Sequence, residues 1–598
     1  MKDILSGNQA IARGAYEYGV KVAAGYPGTP STEILENLSK YDEVYTEWAP
    51  NEKVALEVAI GAAFTGVRTM ATMKHVGLNV AADPLMTSSY TGIEGGLLVV
   101  VADDPGMHSS QNEQDSRNYA KFAKVPLFEP SDAAEAKEPV RDAFEVSEQF
   151  DTPVIFRSNT RISHSKGVVE LEERKFQDRT PVYKRNPKKY LMIPSYARKR
   201  RLIVEDRIKK LKAFANEYQR NKTVFRDKKL GIITSSISYQ YVMEIFQHAS
   251  ILKLTMSYPF PDDLILDFSK KVKNLIVIEE LDRFITEHVH QLGIKTVGDD
   301  LVPNIGELDP DIVSKIKNDL TIKGYYAGIE IKDKEIPQKV ESPENLPARP
   351  PVLCPGCPHR TVFYTLRRAK AIIMGDIGCY SLGGLPPLDS MDAIICMGAG
   401  ISAAMGISKS GIDRPVVGIV GDSTFFHSGI TGLLDIGYNK GNLTIIVLDN
   451  RITAMTGHQE HPGTGKTLKG EDTIKASIEK FAIASGIDRI KVFDPYDVEA
   501  TKKIILEEIR DNIPSILISR KPCALLKEAP HFAPYHVNPE KCTSCGICLK
   551  IACPAIEKRY TEGDKWVAYI NEPLCTGCSV CAQVCPFDAI YQTNKKNK

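Results

Sequence analysis

Eight cysteines between Cys542 and Cys585 carry the most specific chemistry in this 598-residue chain. The first run, Cys542-x2-Cys545-x2-Cys548-x4-Cys553-Pro554, has one residue more than usual before its last cysteine. The second, Cys575-x2-Cys578-x2-Cys581-x3-Cys585-Pro586, has the bacterial ferredoxin spacing in full. Thiolates so spaced hold [4Fe–4S] clusters, and in two-cluster ferredoxins the fourth cysteine of each run serves the other cluster. One cluster is therefore expected on Cys542, Cys545, Cys548 and Cys585, and a second on Cys575, Cys578, Cys581 and Cys553. Zinc in paired CxxC sites leaves the third cysteine of each run unexplained. A second constellation lies in Gly421–Asn450. The apolar run Val416–Val420 ends at Gly421-Asp422, a helical stretch carries Phe425, Ile430, Leu433, Leu434 and Ile436, and the apolar run Leu443–Leu448 ends at Asp449-Asn450. Strand, helix, strand puts Asp422 and Asn450 on one sheet edge, because parallel strands present their carboxyl ends together. Their oxygens, a downstream carbonyl such as that of Ile452, two phosphate oxygens and water would complete an octahedral Mg²⁺ shell. The plain alternative is a βαβ crossover with Asp and Asn as helix caps.

Other residues invite chemistry with less specificity. Cys354 and Cys357 form CPGC, a redox pair or half of a zinc site that His359 and Cys379 would complete. Ile394–Gly400 followed by Ile401-Ser402-Ala403 reads as GxGxxA after a strand and before a helix, a weak dinucleotide fingerprint with Asp422 as its acid. A dinucleotide leaves Asn450 unexplained, whereas a diphosphate with Mg²⁺ uses both residues. Gly398 and Gly400 then let the backbone approach the phosphates. Beyond Asn450, RITAMTGHQEHPGTG reads as a loop over the cofactor, whose His458 and His461 either transfer protons or only shape it.

These sites need a scaffold, and hydrophobic periodicity supplies an α/β one. Residues 1–165 alternate a helix from Gln9 to Tyr18, capped by Ser6 or Asn8, with strands over Val20–Ala24, Met70–Met73 and Leu97–Ala102. A helix from Glu52 to Phe64 lies between. Residues 166–345 hold a Lys- and Arg-rich stretch, 180–228, read as a charged, partly helical connector with a solvated face. Strands follow at Leu230–Thr234 and Leu275–Ile278, with a helix over Ile237–Gln247. The Pro-rich tract Ile336–Pro351 is a linker. Residues 352–530 carry the Asp422/Asn450 unit and residues 531–598 the cysteine runs. Hydrophobic content of 43%, charged content of 25% and a net charge of +1 describe a soluble globular chain with no reason to expect nucleic acid or an anionic membrane as partner. No apolar run reaches membrane-spanning length, and MKDILSGNQA lacks a secretory core, so a cytoplasmic location is expected.

The GDS…DN pair, Gly421-Asp422-Ser423 with Asp449-Asn450, resembles the GDG…NN motif of thiamine diphosphate enzymes. It departs from that motif at the third and penultimate positions but keeps both metal ligands. YPGTP, NEKVALEVAIGAAFTGVR and MKHVGLN resemble the pyrimidine-binding domain of 2-oxoacid:ferredoxin oxidoreductases, and NLIVIEELDRF a transketolase C-terminal-like domain. TMKHVGLNVAADPLMT, VVVADDPG, CPGCPHR, DIGCYSLGGLPPLDSMD and AMTGHQEHPG extend the likeness over essentially the whole chain, toward the α subunits of the indolepyruvate branch. The resemblance implies several parallel-sheet thiamine-diphosphate domains followed by a small α+β domain with two [4Fe–4S] clusters. It implies that Glu52 meets N1′ of the aminopyrimidine, with Glu47 as the runner-up; from the residues alone Glu52 reads as a dipole-balancing carboxylate. It places Thr29 by the substrate carboxylate, and Arg117 either at the substrate or on a helix surface. His75 and His108 read as capped or solvated.

A thiamine cofactor serves as electron sink for decarboxylation of 2-oxo acids. Fused clusters would then carry electrons singly to an external ferredoxin. The family implies aryl pyruvates (indolepyruvate, phenylpyruvate, 4-hydroxyphenylpyruvate) as substrates, coenzyme A as acyl acceptor and a smaller β subunit as partner. A non-oxidative decarboxylase with structural clusters is the alternative; a catalytically inactive electron carrier conflicts with the presence of Asp422, Asn450 and Glu52.

Overall fold

A computed structural model of the chain describes residues 1–174, 180–326, 351–511, 513–561 and 565–592. The linker expected at Ile336–Pro351 lies outside them except for Pro351. The chain divides into two compact units, Met1–Ser342 and Pro343–Lys598.

The first unit is organised by a seven-stranded sheet in the order Met256–Tyr258, Leu127–Phe128, Val154–Asn159, Leu97–Asp103, Arg68–Lys74, Val20–Gly25, Tyr45–Trp48. Every pairing is parallel except that of Met256–Tyr258. The strands Arg68–Lys74, Leu97–Asp103 and Val154–Asn159 are buried at every position, as parallel strands covered on both faces must be. Each predicted strand exists, but Arg68–Lys74 and Leu97–Asp103 run on to end in a polar residue. Those polar ends share one sheet edge. The helix Gly7–Glu17 starts at a capping box: Ser6 accepts from the Gln9 amide and Gln9 reaches back to the Ser6 amide. Asn8, the other expected cap, donates to the Pro30 carbonyl at 2.7 Å instead. Asn51 caps the helix Glu52–Ala63, which buries Ala55, Leu56, Ala59 and Ala63. Gly61 of that helix faces open space, so close packing does not account for it.

A four-stranded sheet, Asn274–Ile278, Asp227–Ser235, Ala249–Leu254, Lys222–Val224, joins the first through one apolar core that includes Leu252, Leu254, Val277 and Ile285. The basic stretch becomes the 24-residue helix Pro194–Glu217. Its outer face, with Arg198, Lys199, Lys209 and Lys210, is exposed as expected. Its inner face is not solvated: Arg200 and Arg207 are buried and donate to the carbonyls of Ser89, Tyr90 and Thr91. They thereby satisfy the orphan acceptors at the end of the helix Ala82–Thr91 and oppose its dipole.

The acidic pair after Asn274–Ile278 is buried. Glu280 accepts from the Leu308 amide at 3.0 Å and the Asn159 side chain at 2.8 Å. Burial pushes its carboxyl up to about 7, despite those donors and the charge of Arg157. The folded state thus binds a proton below pH 7 that the unfolded chain binds only near its ordinary carboxyl range. The resulting stability is complete below that range and is lost as pH rises through 7, up to about 3 kcal/mol. Glu280→Gln, a mimic of the protonated form, is expected to flatten this dependence. Urea midpoints at pH 5 and pH 8 should differ more for the native protein than for the variant; superimposable profiles would place the proton elsewhere.

The second unit holds a five-stranded parallel sheet, Ile372–Met374, Val416–Gly421, Thr444–Asp449, Ser515–Arg520, Ile490–Phe493. The crossover from Asp422 to Tyr438 is helical throughout, with a π-turn over Phe425–Gly429. The strand expected at Ile394 does not form: Ala393 makes a single bridge to Met374, and Ile394 and Ile395 are exposed. The strand that precedes the helix Ala399–Lys409 is Ile372–Met374. Two antiparallel strand pairs, Tyr535–Val537 with Ile590–Gln592 and Ile556–Tyr560 with Trp566–Ile570, form the cysteine-rich module. Ile551, Val580 and Val584 of that module share an apolar core with Leu353, Val362, Val498 and Ile505.

Candidate active site

In the first unit, four strand ends and the turns after them converge on the carboxyl edge of the large sheet, where ligands of open parallel sheets bind. Thr29 follows Val20–Gly25 in a turn closed by a cis Thr29-Pro30 bond, and its carbonyl accepts from Ser109 Oγ at 3.3 Å. Lys74 ends the next strand; its Nζ donates to the Ser109 carbonyl at 3.0 Å. Burial lowers the Lys74 ammonium to about 8, against the pull of the Asp104 and Glu52 carboxylates. Asp104 accepts from Ser110 Oγ at 2.6 Å, Thr160 Oγ1 at 2.8 Å and the Ser109 amide at 2.9 Å. These partners and Lys74 outweigh burial and hold it below the usual carboxylate range.

Glu52 opens its helix at 5% exposure, and its carboxylate lies against Gly77, where a Cβ would come within 2.6 Å of Oε1. Glu47, half-buried on Tyr45–Trp48, accepts from Tyr45 Oη at 2.6 Å. His75 is buried and kept neutral by desolvation, with Nε2 3.2 Å from the Asn112 carbonyl, whereas His108 is half exposed and pairs with Glu307. The structure therefore brings Thr29, Glu52 and His75 to one edge and adds Lys74 and Asp104, which pattern reading passed over. Lys74 closes its strand, and Asp104 follows the end of the next.

Arg117 is neither exposed nor aimed outward. It is 1% exposed and is locked to Asp115, Glu279 and the carbonyls of Glu280 and Asp282. It ties the loop after Leu97–Asp103 to the acidic strand end of the smaller sheet. With Arg157, bound to Asp103 and Glu129, it forms a buried ion network.

In the second unit, Asp422 and Asn450 stand on the expected edge, 3% and 7% exposed. Asp422 accepts from the amides of Ser423 at 2.8 Å and Arg451 at 2.7 Å. His461 Nε2 lies 3.3 Å from Asp422 Oδ2. The Gly463 amide donates to His461 Nδ1 at 3.1 Å, which assigns the ring proton to Nε2, facing Asp422. Burial raises the Asp422 carboxyl, but His461 and the two amides outweigh it and the group stays ionised. Asn450 Oδ1 accepts from the Ile452 amide at 3.3 Å, and Ile452 is itself buried. An ionised carboxylate, an amide oxygen and a backbone carbonyl are hard donors that suit Mg²⁺ with a diphosphate. Ser423 accepts from Thr453 Oγ1 at 2.9 Å, and Gly421 leaves room for the Tyr380 ring, 2.6 Å from where a Cβ would sit.

The amides of Gly398 and Gly400 are not turned to open space. They donate to Asp376 at 3.1 and 2.8 Å, so the anion at this helix N-terminus is the chain's own carboxylate. Asp376 is fully buried, which raises its carboxyl to about 6 against those amides and the charge of His427. Gly400 has a packing reason as well: a Cβ would sit 2.5 Å from the Ile419 carbonyl.

Cys542, Cys545, Cys548 and Cys585 line one cavity. Cys553, Cys575, Cys578 and Cys581 line another. Among the described residues no three His, Cys, Asp or Glu side chains converge at single-ion spacing. Thiols spread around a cavity suit a cluster. The extra residue before Cys553 is absorbed at Ala552, which adopts a left-handed φ of 57°. Cys357 also lines the second cavity, and burial pushes its thiol up to about 12. Cys354, Cys379 and Cys523 lie within electrostatic reach of one another, and Cys354 and Cys379 act on Cys357 as well. The zinc set weighed from sequence included His359. That ring, lowered to about 4 by burial, feels Asp422 rather than the thiols, and Cys523 takes its place in the group. His458 Nε2 is 3.9 Å from Cys523 Sγ.

Residues 13–227 match the family model "Pyruvate flavodoxin/ferredoxin oxidoreductase, thiamine diP-bdg". Residues 376–518 match "Thiamine pyrophosphate enzyme, C-terminal TPP binding domain", and residues 568–591 match "4Fe-4S binding domain". The chain is similar to indolepyruvate oxidoreductase subunit IorA of Pyrococcus horikoshii, 42% identical over 98% of this chain and 96% of that one. The Pyrococcus abyssi counterpart is 41% identical over the same shares. That of Methanothermobacter marburgensis is 40% identical over 99% of this chain and 97% of its own length.

Proposed function

Because the chain belongs to the IorA-type subunits of the thiamine-diphosphate-dependent 2-oxoacid:ferredoxin oxidoreductases, we propose that it decarboxylates aryl pyruvates oxidatively. Indolepyruvate, phenylpyruvate and 4-hydroxyphenylpyruvate would yield aryl-acetyl-CoA and CO₂, with coenzyme A as acceptor. Electrons would leave through two [4Fe–4S] clusters to an external ferredoxin, with a smaller β subunit completing the enzyme in a reducing compartment such as the cytoplasm. The observation that carries this reading is the shared core of the second unit, which packs the two cysteine-lined cavities onto the same body as the Asp422/Asn450 edge.

Thiamine diphosphate, when bound, supplies the electron sink for loss of CO₂. Asp422, Asn450 and the Ile452 carbonyl would hold Mg²⁺, and through it the diphosphate. Gly421 and Ser423 shape the turn that presents Asp422. Glu52 would pair with N1′ of the aminopyrimidine and stabilise a proton placed there. Thr29 would face the substrate carboxylate, with the Lys74 ammonium on the same edge to balance its charge. The thiol group of Cys354, Cys357, Cys379 and Cys523 is a further soft-ligand set.

The test is an anaerobic assay of the purified protein with its β subunit, using phenylpyruvate, coenzyme A and a viologen dye. Dye reduction that requires both substrate and coenzyme A is expected. Aryl aldehyde released without dye reduction would replace this reading with a non-oxidative decarboxylase. Iron analysis should give about eight atoms per chain for two four-iron clusters. About twelve would mark the further thiol group as occupied too.

A further inference from the structure

Arg360 spends its whole guanidinium on backbone carbonyls. Nε donates to the Cys354 carbonyl at 3.3 Å. One terminal nitrogen reaches the carbonyl of Ile551 at 3.0 Å and that of Ala552; the other reaches Cys354 at 2.8 Å and Leu353. The side chain is 3% exposed, and among the described residues no carboxylate pairs with it. A buried cation without an anion is costly, and such charges in folded proteins are paired.

The missing anion has an evident place. Arg360 stands in the wall of the second cavity beside Cys553, Cys575, Cys578 and Cys581. Among the described residues the first cavity has no charged residue in its lining. Two of the carbonyls held by Arg360, Ile551 and Ala552, belong to the turn that absorbs the extra residue before Cys553. One side chain therefore fastens the irregular ligand loop and lays a positive charge along the thiolate cavity.

We propose that Arg360 is a positioning residue of the second cluster, holding the Cys553 loop and supplying the counter-charge that raises this cluster's reduction potential. Reduction adds one electron, hence one negative charge, which a neighbouring cation stabilises. The proposal rests on the two-cluster reading above.

The test uses the full-length protein, purified anaerobically, with iron and sulfide analysis and a dithionite titration followed by electron paramagnetic resonance. A Cys578→Ser variant identifies the second cluster's signal. Arg360→Gln is expected to shift that signal alone to lower potential, by about a tenfold change in its reduction equilibrium, 59 mV for one electron. Arg360→Lys, which keeps the charge, should stay within a third of that shift. If Arg360→Gln loses the second cluster while Arg360→Lys keeps it at the native potential, the proposal also stands. Native iron content with unshifted signals in Arg360→Gln overturns it. Equal loss of the cluster in both variants overturns it too, leaving Arg360 a fastener only. A native protein with fewer than two cluster signals refutes the two-cluster reading itself, whatever the variants do.

Discussion

Asp422→Ala is expected to yield a folded protein with native cluster absorbance that retains no thiamine diphosphate after desalting and turns over at less than about a thousandth of the native rate. The carboxylate is 3% exposed at the end of Val416–Gly421 and is kept ionised by His461 and the amides of Ser423 and Arg451. The alanine variant would remove the one carboxylate of the proposed Mg²⁺ set and leave those amides without their acceptor, at about 1–3 kcal/mol each. Part of any loss would then be structural. Asp422→Asn separates the effects, because its amide oxygen still accepts one hydrogen bond while the charge is gone. Both variants should fail to hold the cofactor, measured as thiochrome fluorescence of the desalted protein, but only the alanine variant should show a lowered melting temperature. Native cofactor retention in Asp422→Asn would mean that the metal is held elsewhere.

The parts of this site that were legible in the sequence are those whose chemistry is local. Parallel strands buried on both faces tend to read as apolar runs, and Asp422 and Asn450, just past the runs in Val416–Gly421 and Thr444–Asp449, were legible as lying at the carboxyl edge. Cysteine spacing is equally local, since three cysteines of each run line one cavity. What stayed hidden depends on partners distant in the chain. Asp376 occupies the amides of Gly398 and Gly400, which lie 22 and 24 residues further on. Arg117 meets Glu279 162 residues away, so neither the substrate nor the surface reading of that side chain anticipated a buried ion pair. Cys523 joins Cys354 and Cys379 from a third segment with no spacing to betray it. The apolar residues Ile394 and Ile395 misled in the other direction. They satisfy strand propensity but find no partner strand, and remain on the surface.

Glu52→Gln is expected to lower kcat for dye reduction by about 10²–10⁴-fold, the range of a lost proton-transfer group, with cofactor retention and stability nearly unchanged. The separation follows from its position. Asn51 caps the helix, so the Glu52 carboxylate is not needed to start it. Its interaction with the helix dipole is worth only about 0.3–1 kcal/mol. A glutamine keeps the size and one acceptor oxygen but cannot hold the negative charge that stabilises a proton on its partner. Gly77 supplies an independent check from the other side of the contact. A Cβ there would lie 2.6–2.8 Å from Glu52 Oε1, Cγ and Cδ, so Gly77→Ala must displace the carboxylate. Gly77→Ala should therefore lose rate as Glu52→Gln does. The double variant should lose little more than either, because both remove one interaction and such effects do not add. Fully additive losses would mean that Gly77 acts by another route. A Glu52→Gln rate within about threefold of native would remove Glu52 from the chemistry and return attention to Glu47, which lies half-buried five residues earlier in the chain.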